Sequence, residues 1–192
     1  MVFNKSVFKK LIKTAYKTCG LLVANKDDRI ILAGSWWMMS VKEKWFPKWG
    51  MAAVIELTGA IPAAGECFRA EKMGNQIEIL SEIICNLDKG KGNRLKRKSY
   101  TDTRILQDNL HGLIRYLSNK NDTVAINEMM YELYDPDEGE NGESCDVIGI
   151  WREWDWMYFH TPACSWACSI VAFDNEKDST FCKRLGQILQ EQ

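Results

Sequence analysis

Histidine is the scarcest residue with chemistry to offer in this chain: only His111 and His160 occur in 192 residues. Neither lies in a catalytic signature, so imidazole-dependent chemistry has few places to reside. An excess of one charge is missing too, because 25 Lys and Arg face 26 Asp and Glu for a formal charge of -1. Whole-chain attraction to a polyanion is thereby excluded, and only local patches can argue for nucleic acid. No run approaches the ~20 apolar residues of a membrane span. Met1 to Lys17 alternates lysines with apolar residues and lacks the apolar centre and cleavage site of a signal peptide. The seven cysteines, Cys19, Cys67, Cys85, Cys145, Cys164, Cys168 and Cys182, are odd in number and lack the spacing of a disulfide framework. These absences predict a reduced, cytoplasmic protein with no cofactor and no membrane partner.

What is present is ordinary globular composition, 46% hydrophobic and 27% charged, with one oddity in its eight tryptophans. Each indole buries roughly 150 to 250 Å² and usually needs a partner for its N–H, so they raise core capacity and binding potential together. Gly34 to Gly59 gathers four of them, Trp36, Trp37, Trp45 and Trp49, around a helix signal. The rest of the chain is organised around this apolar stretch.

In chain order, Phe3, Val7, Phe8, Leu11, Ile12 and Ala15 recur at helical spacing. Lys5, Lys9, Lys13 and Lys17 step along the opposite face with Lys10 beside them, giving an amphipathic first helix with a lysine stripe. Leu21 to Ala24 and Arg29 to Ala33 read as strands across the turn Asn25 to Asp28, the second continuing through Trp36 to Val41 with both faces apolar. Such a strand is central or covered. Pro47 opens a second helix with Ala52, Val54, Ile55 and Leu57 as its apolar side, and Gly59 stops it. Glu66 to Glu71 and Gln76 to Leu80 form a hairpin centred on Gly74-Asn75, and Ile83 to Leu87 adds a strand.

Lys89, Lys91, Arg94, Lys96, Arg97 and Lys98 then form a basic run with Gly90 and Gly92 inside it. Arg104 to Leu110 fits helix or strand equally, since Leu106, Leu110, Leu113 and Leu117 keep a helical spacing that Gly112 interrupts. Leu113 to Ser118 and Thr123 to Asn127 read as strands, and Glu128 to Tyr134 as a short helix. An acidic loop follows, with Asp135, Asp137, Glu138, Glu140, Glu143 and Asp146. Trp154, Trp156 and Tyr158 alternate with Asp155, Met157 and Phe159 at strand spacing. Trp166 to Phe173 is a further apolar strand, and Phe181, Cys182, Leu185, Ile188 and Leu189 face a terminal helix capped by Asn175 or Asp178. The sum is an α+β protein of mostly antiparallel sheet with three to four helices. Either it divides into an N-terminal unit, 1–88, and a strand-rich C-terminal unit, 89–192, of related build, or it is one domain with a basic loop at 89–99.

Ala33-Gly34-Ser35-Trp36-Trp37 leading to Phe46-Pro47-Lys48, and Arg115-Tyr116-Leu117 leading to Ala125-Ile126-Asn127-Glu128, resemble small proteins of phages and mobile elements of Gram-positive bacteria. That resemblance implies no active site. Separately, the order of elements in residues 2–80 is similar to one domain of a DNA sliding clamp: a Lys-bearing helix, paired strands, a Phe-Pro-Lys helix entry and a hairpin. A bacterial clamp subunit holds three such domains, whereas this chain has room for one or two.

The candidate nucleic-acid contacts are Lys5, Lys9, Lys13 and Lys17, the pairs Lys44-Trp45 and Lys48-Trp49, and Lys91, Arg94, Lys96, Arg97 and Lys98. Lysines would neutralise phosphates and indoles would stack on bases. The plainer reading is a solvated helix face, a solubilising loop and tryptophans that lid the core. His160, Cys164 and Cys168 sit four apart and would line one side of a helix as zinc ligands, although Pro162, Ser165 and Trp166 argue against a helix and the fourth ligand is missing unless Cys145 or an acidic residue approaches. Otherwise they are buried thiols that act as small hydrophobes. A Cys nucleophile would need His111 or His160 as its base. The acidic loop misses the calcium-loop pattern. The expectation is therefore a non-enzymatic binding protein of phage or mobile-element type, engaging nucleic acid or replication machinery. The alternatives are a self-associating or interaction module acting on a host protein through its tryptophans, and a Cys-dependent or zinc enzyme.

Overall fold

The computed structural model describes residues 3–78, 87, 100–109, 112–120, 122–133, 149–153, 155–161, 163–173 and 176–190. The basic run 89–98, the acidic loop 135–146, His111, Trp154 and the strand expected at 83–87, Leu87 apart, lie outside the described residues.

Helix α1 (Lys5–Thr18) begins at Asn4, whose side chain accepts from the backbone N–H groups of Ser6 and Val7, satisfying donors that a helix leaves orphaned. Strands β1 (Leu21–Lys26) and β2 (Arg29–Ala33) are joined by Asp27 and Asp28 at φ 52° and 58°. That is the left-handed pair of a type I′ turn, which matches the twist of a hairpin. The chain does not run on through Trp36 as one strand. It reverses at Gly34, and β3 (Trp37–Lys42) returns antiparallel to β2 with Leu32 opposite Met39. The reversal folds the Trp37 indole over Gly34, where an added Cβ would lie 2.6 Å from Nε1.

Helix α2 (Lys48–Thr58) follows Pro47 and stops at Gly59, φ 80°. Its buried edge is Gly50, Ala53, Val54 and Thr58, so Ala52 and Ile55 of the expected apolar side face water instead. The helix seats by its smallest residues, which apolar spacing alone does not reveal. Strands β4 (Cys67–Glu71) and β5 (Gly74–Ile77) form the expected hairpin, but Glu71 pairs with Gly74 and the turn is Lys72-Met73.

Next come β6 (Thr101–Asn109), β7 (Gly112–Asn119), β8 (Asp122–Asn127), α3 (Glu128–Glu132), β9 (Gly149–Glu153), β10 (Trp156–His160), β11 (Cys164–Ser169) and α4 (Glu176–Gln190). The open question at Arg104 resolves to strand, with a bulge between Asp102 and Leu106 where Arg104 takes φ 60°. The extra residues of a bulge break the two-residue alternation. Strand β11 starts and ends earlier than the apolar run 166–173. Beyond Ser169 the backbone bonds elsewhere, Ile170 N–H donating to Asp155 and Val171 N–H to Ala125.

The fold is α+β, with an eight-stranded sheet in the order β5-β4-β1-β2-β3-β11-β10-β9 and a three-stranded sheet β6-β7-β8, antiparallel throughout. The early strands and the late ones join where β3 pairs with β11, Met39 opposite Trp166. One face of the large sheet carries Leu32, Trp37, Met39, Phe159, Trp166 and Cys168 into the main core, which α1, α2, α3 and the small sheet close. The other face carries Leu22, Ala24, Ile31, Ala33, Met38 and Ala167, with Leu87 in the same buried cluster. Helix α4 covers the outer side of the small sheet through Leu185 against Ile114, Tyr116 and Ala125. Among the described residues no helix is long and apolar enough to cross a membrane.

Candidate nucleic-acid interface

Helix α1 separates its two faces cleanly. Val7, Phe8, Leu11, Ile12 and Ala15 are buried, while Lys5, Lys9, Lys10, Lys13 and Lys17 are all exposed. Steps of four residues advance about 6 Å along a helix, so Lys5 to Lys17 spans roughly 18 Å of surface. No carboxylate occurs before Asp27, which leaves these lysines without acidic neighbours in sequence. The arrangement works against the helix itself. Like charges at i,i+4 each cost about 0.2–0.5 kcal/mol, and Lys5 sits at the positive end of the macrodipole with no acid in the first turn.

The second basic element adjoins this helix. Phe8 of α1 meets Phe46 edge-on at 5.9 Å between ring centroids and Trp49 at 5.5 Å, which pins the corner 44–49 against the second turn of α1. Lys44 and Lys48 are exposed. Trp45 is 43% exposed and lies 5.5 Å from Lys44 Nζ. Trp49 is half-buried by its contact with Phe8, so the two indoles of the predicted pair differ: one is a lid, the other is open. Of the remaining tryptophans, Trp37 and Trp166 are enclosed in the core, and Trp36 and Trp156 are half-buried.

The grouping of His160, Cys164 and Cys168 as zinc ligands, or of His160 as a base for either thiol, fails on strand parity, while His111, Cys85 and Cys145 lie outside the described residues. His160 lies on β10 opposite Ser165 of β11, and its Nδ1 is 2.7 Å from Ser165 Oγ. Cys164 and Cys168 flank Ser165 at odd offsets and therefore point to the other side of the sheet, into the main core. Among the described residues no group of three His, Cys, Asp or Glu is placed to hold a metal. Burial with no compensating charge drives the Cys168 thiol pKa far up, the opposite of an activated nucleophile.

Three polar clusters escaped the reading of the sequence. On the second face of the large sheet, Ser40, Ser165 and His160 stand on successive strands in one register row, and Arg29 Nε donates to Ser40 Oγ at 2.6 Å. Between β6, β7 and α3, Arg115 forks onto Glu128 through Nε and Nη2, both at 2.5 Å, and gives Nη1 to Asp102 at 2.6 Å. The hydrogen bonds to Glu128 outweigh burial and raise its pKa, and its guanidinium lies 4.3 Å over the Tyr131 ring. At the seam of the two sheets, Tyr100 donates to Asp122 at 2.6 Å and Arg152 reaches the same oxygen at 2.5 Å. Burial and then the bond to Asp122 push the Tyr100 hydroxyl up to about 12. The first and third clusters tie together elements distant in sequence, and the second joins residues thirteen apart, so no short-range pattern announces any of them.

Comparison with family models, with curated proteins and with solved structures finds no match.

Proposed function

We propose that this is a non-enzymatic binding protein that docks on the phosphate backbone of nucleic acid, by itself or within replication machinery, through α1 and the Lys44–Trp49 corner. The observation that carries the reading is the continuous lysine face of α1, free of carboxylates in sequence and held outward by a fully buried apolar face. A helix that bears repeated like-charge pairs and an unfavourable first turn gains when an anion neutralises them. Each phosphate contact releases counterions and adds affinity without regard to sequence. Trp45 supplies an exposed ring beside the stripe, on which an unpaired base can stack.

Anisotropy titrations of duplex and single-stranded oligonucleotides at several salt concentrations test this. With four contacts, affinity falls roughly a hundredfold between 50 and 200 mM salt. Lys9→Gln with Lys13→Gln reduces the log–log slope by about 2, while the unfolding free energy from urea titration changes by no more than about a few tenths of a kcal/mol because both side chains are exposed. Affinity that ignores salt, or that survives the double substitution with an unchanged slope, sinks the reading.

A further inference from the structure

The exposed side of α1 carries its lysines together with Ser6, Thr14 and Thr18 and nothing else. Two of the three hydroxyls are spent locally, Ser6 Oγ donating to the Asn4 side chain at 2.8 Å and Thr18 Oγ1 to the Thr14 carbonyl at 2.9 Å. The planar forks that read base edges in a major groove belong to arginine, asparagine and glutamine, and this side of the helix has none of them. A duplex laid on it would meet charge alone, through its phosphates. The rings nearby have no part in such a contact, because a paired base keeps its faces inside its own stack. Trp45 leaves 43% of its surface open, with Lys44 Nζ 5.5 Å from the ring centroid. Tyr16 follows Lys9 by seven residues, which brings it to within about 20° of that lysine around the helix axis and about 10 Å further along. Part of its ring packs on the main core and part is exposed. An open indole therefore belongs to the corner docked on the second turn of α1, and a part-open phenol stands on the fourth turn, beyond Lys13.

We infer that the ligand of this surface is a single strand, of DNA or RNA, in preference to a duplex. The lysines of α1 and Lys44 hold its phosphates, and unpaired bases stack on Trp45 and Tyr16. The inference rests on the phosphate-docking reading above and names the form of nucleic acid that the site takes. Every base offers the same kind of π-face, so the strand is bound with little regard to its sequence. The rings decide between the two forms because electrostatics works the other way. At equal length a duplex carries twice the phosphates, and a surface that offered lysines alone would favour it.

Anisotropy titrations of the full chain test it, with oligothymidylate and oligouridylate of about 12 nucleotides, a length within the usual range of single-strand sites, against a blunt duplex of the same length. The two single strands report which sugar is favoured, and the better of them binds at least roughly fivefold tighter than the duplex, the lower end of what one stacked base supplies. Trp45→Ala weakens single-strand binding by roughly five- to a hundredfold and so erases the preference. Trp45→Phe keeps a ring and restores most of it, which separates lost stacking from a folding defect. Tyr16→Leu retains an apolar group against the core and lowers the preference by a smaller factor. A duplex bound as tightly as either single strand, or a preference that survives Trp45→Ala, overturns the inference and leaves phosphate docking in place as long as affinity falls with salt. Affinity for neither form, or affinity indifferent to salt, removes the docking reading and this inference with it.

Discussion

The two faces of the eight-stranded sheet come from the same strands and the same alternation, yet they are filled differently. The first face holds large rings and sulfur: Phe159 stacks on Trp166 at 5.3 Å and 4°, Trp37 and Met39 lie beside them, and Trp166 Nε1 donates to Met130 of α3 at 3.1 Å. The second holds Ala24, Ala33 and Ala167 with the Arg29–Ser40 and Ser165–His160 hydrogen bonds among them. Volume sets the cost of a change on the first face. On the second, where Leu22, Ile31 and Met38 are buried as well, it depends also on whether each polar group keeps its partner.

Substitutions should therefore scale by face. Trp166→Ala removes a ring that is 1% exposed together with its hydrogen bond, and a loss of about 3–5 kcal/mol is expected from the urea midpoint. A loss below 1 kcal/mol would mean that this face is not the main core. Ser165→Ala, its neighbour in sequence, changes volume little but strips His160 Nδ1 of a 2.7 Å partner, and about 1–3 kcal/mol should go. Neutrality there would show that the polar row contributes nothing to stability.

A smaller effect marks the seam. Tyr100 ionises near 10 in an unfolded chain and at about 12 in the fold, so its contribution is complete below pH 10 and disappears as the pH climbs through 12. Alkaline difference absorbance should show a late tyrosine step that Tyr100→Phe deletes. A late step that survives Tyr100→Phe unchanged would break the Tyr100–Asp122 link.

Elements set by local pattern were legible in advance: α1 from its apolar spacing, β7 and β8 as strands, and the central place of the run to Val41 from apolar residues on both faces, though not the reversal at Gly34 that makes β3 a separate strand. Three features were not. The spacing of Leu106, Leu113 and Leu117 mimics a helix because a bulge in β6 disturbs strand alternation. The apolar side of α2 was misplaced because its buried edge includes Gly50 and Thr58, which no hydrophobic pattern marks. The spacing of His160, Cys164 and Cys168 suggested a shared site because the reversal between β10 and β11 is invisible in residue counts. Of the candidate interface, the lysine stripe could be read directly, whereas the docking of the 44–49 corner on Phe8 required the tertiary fold.

The pairing of β3 with β11 has a consequence for how the protein is made. Trp37–Lys42 leaves the ribosome long before Cys164–Ser169 is translated, and at about 5–20 residues per second the delay is several seconds to tens of seconds. Throughout that interval an apolar strand carries an open side, so a chaperone has its best opportunity there, and a product truncated after α3 keeps that side open for good.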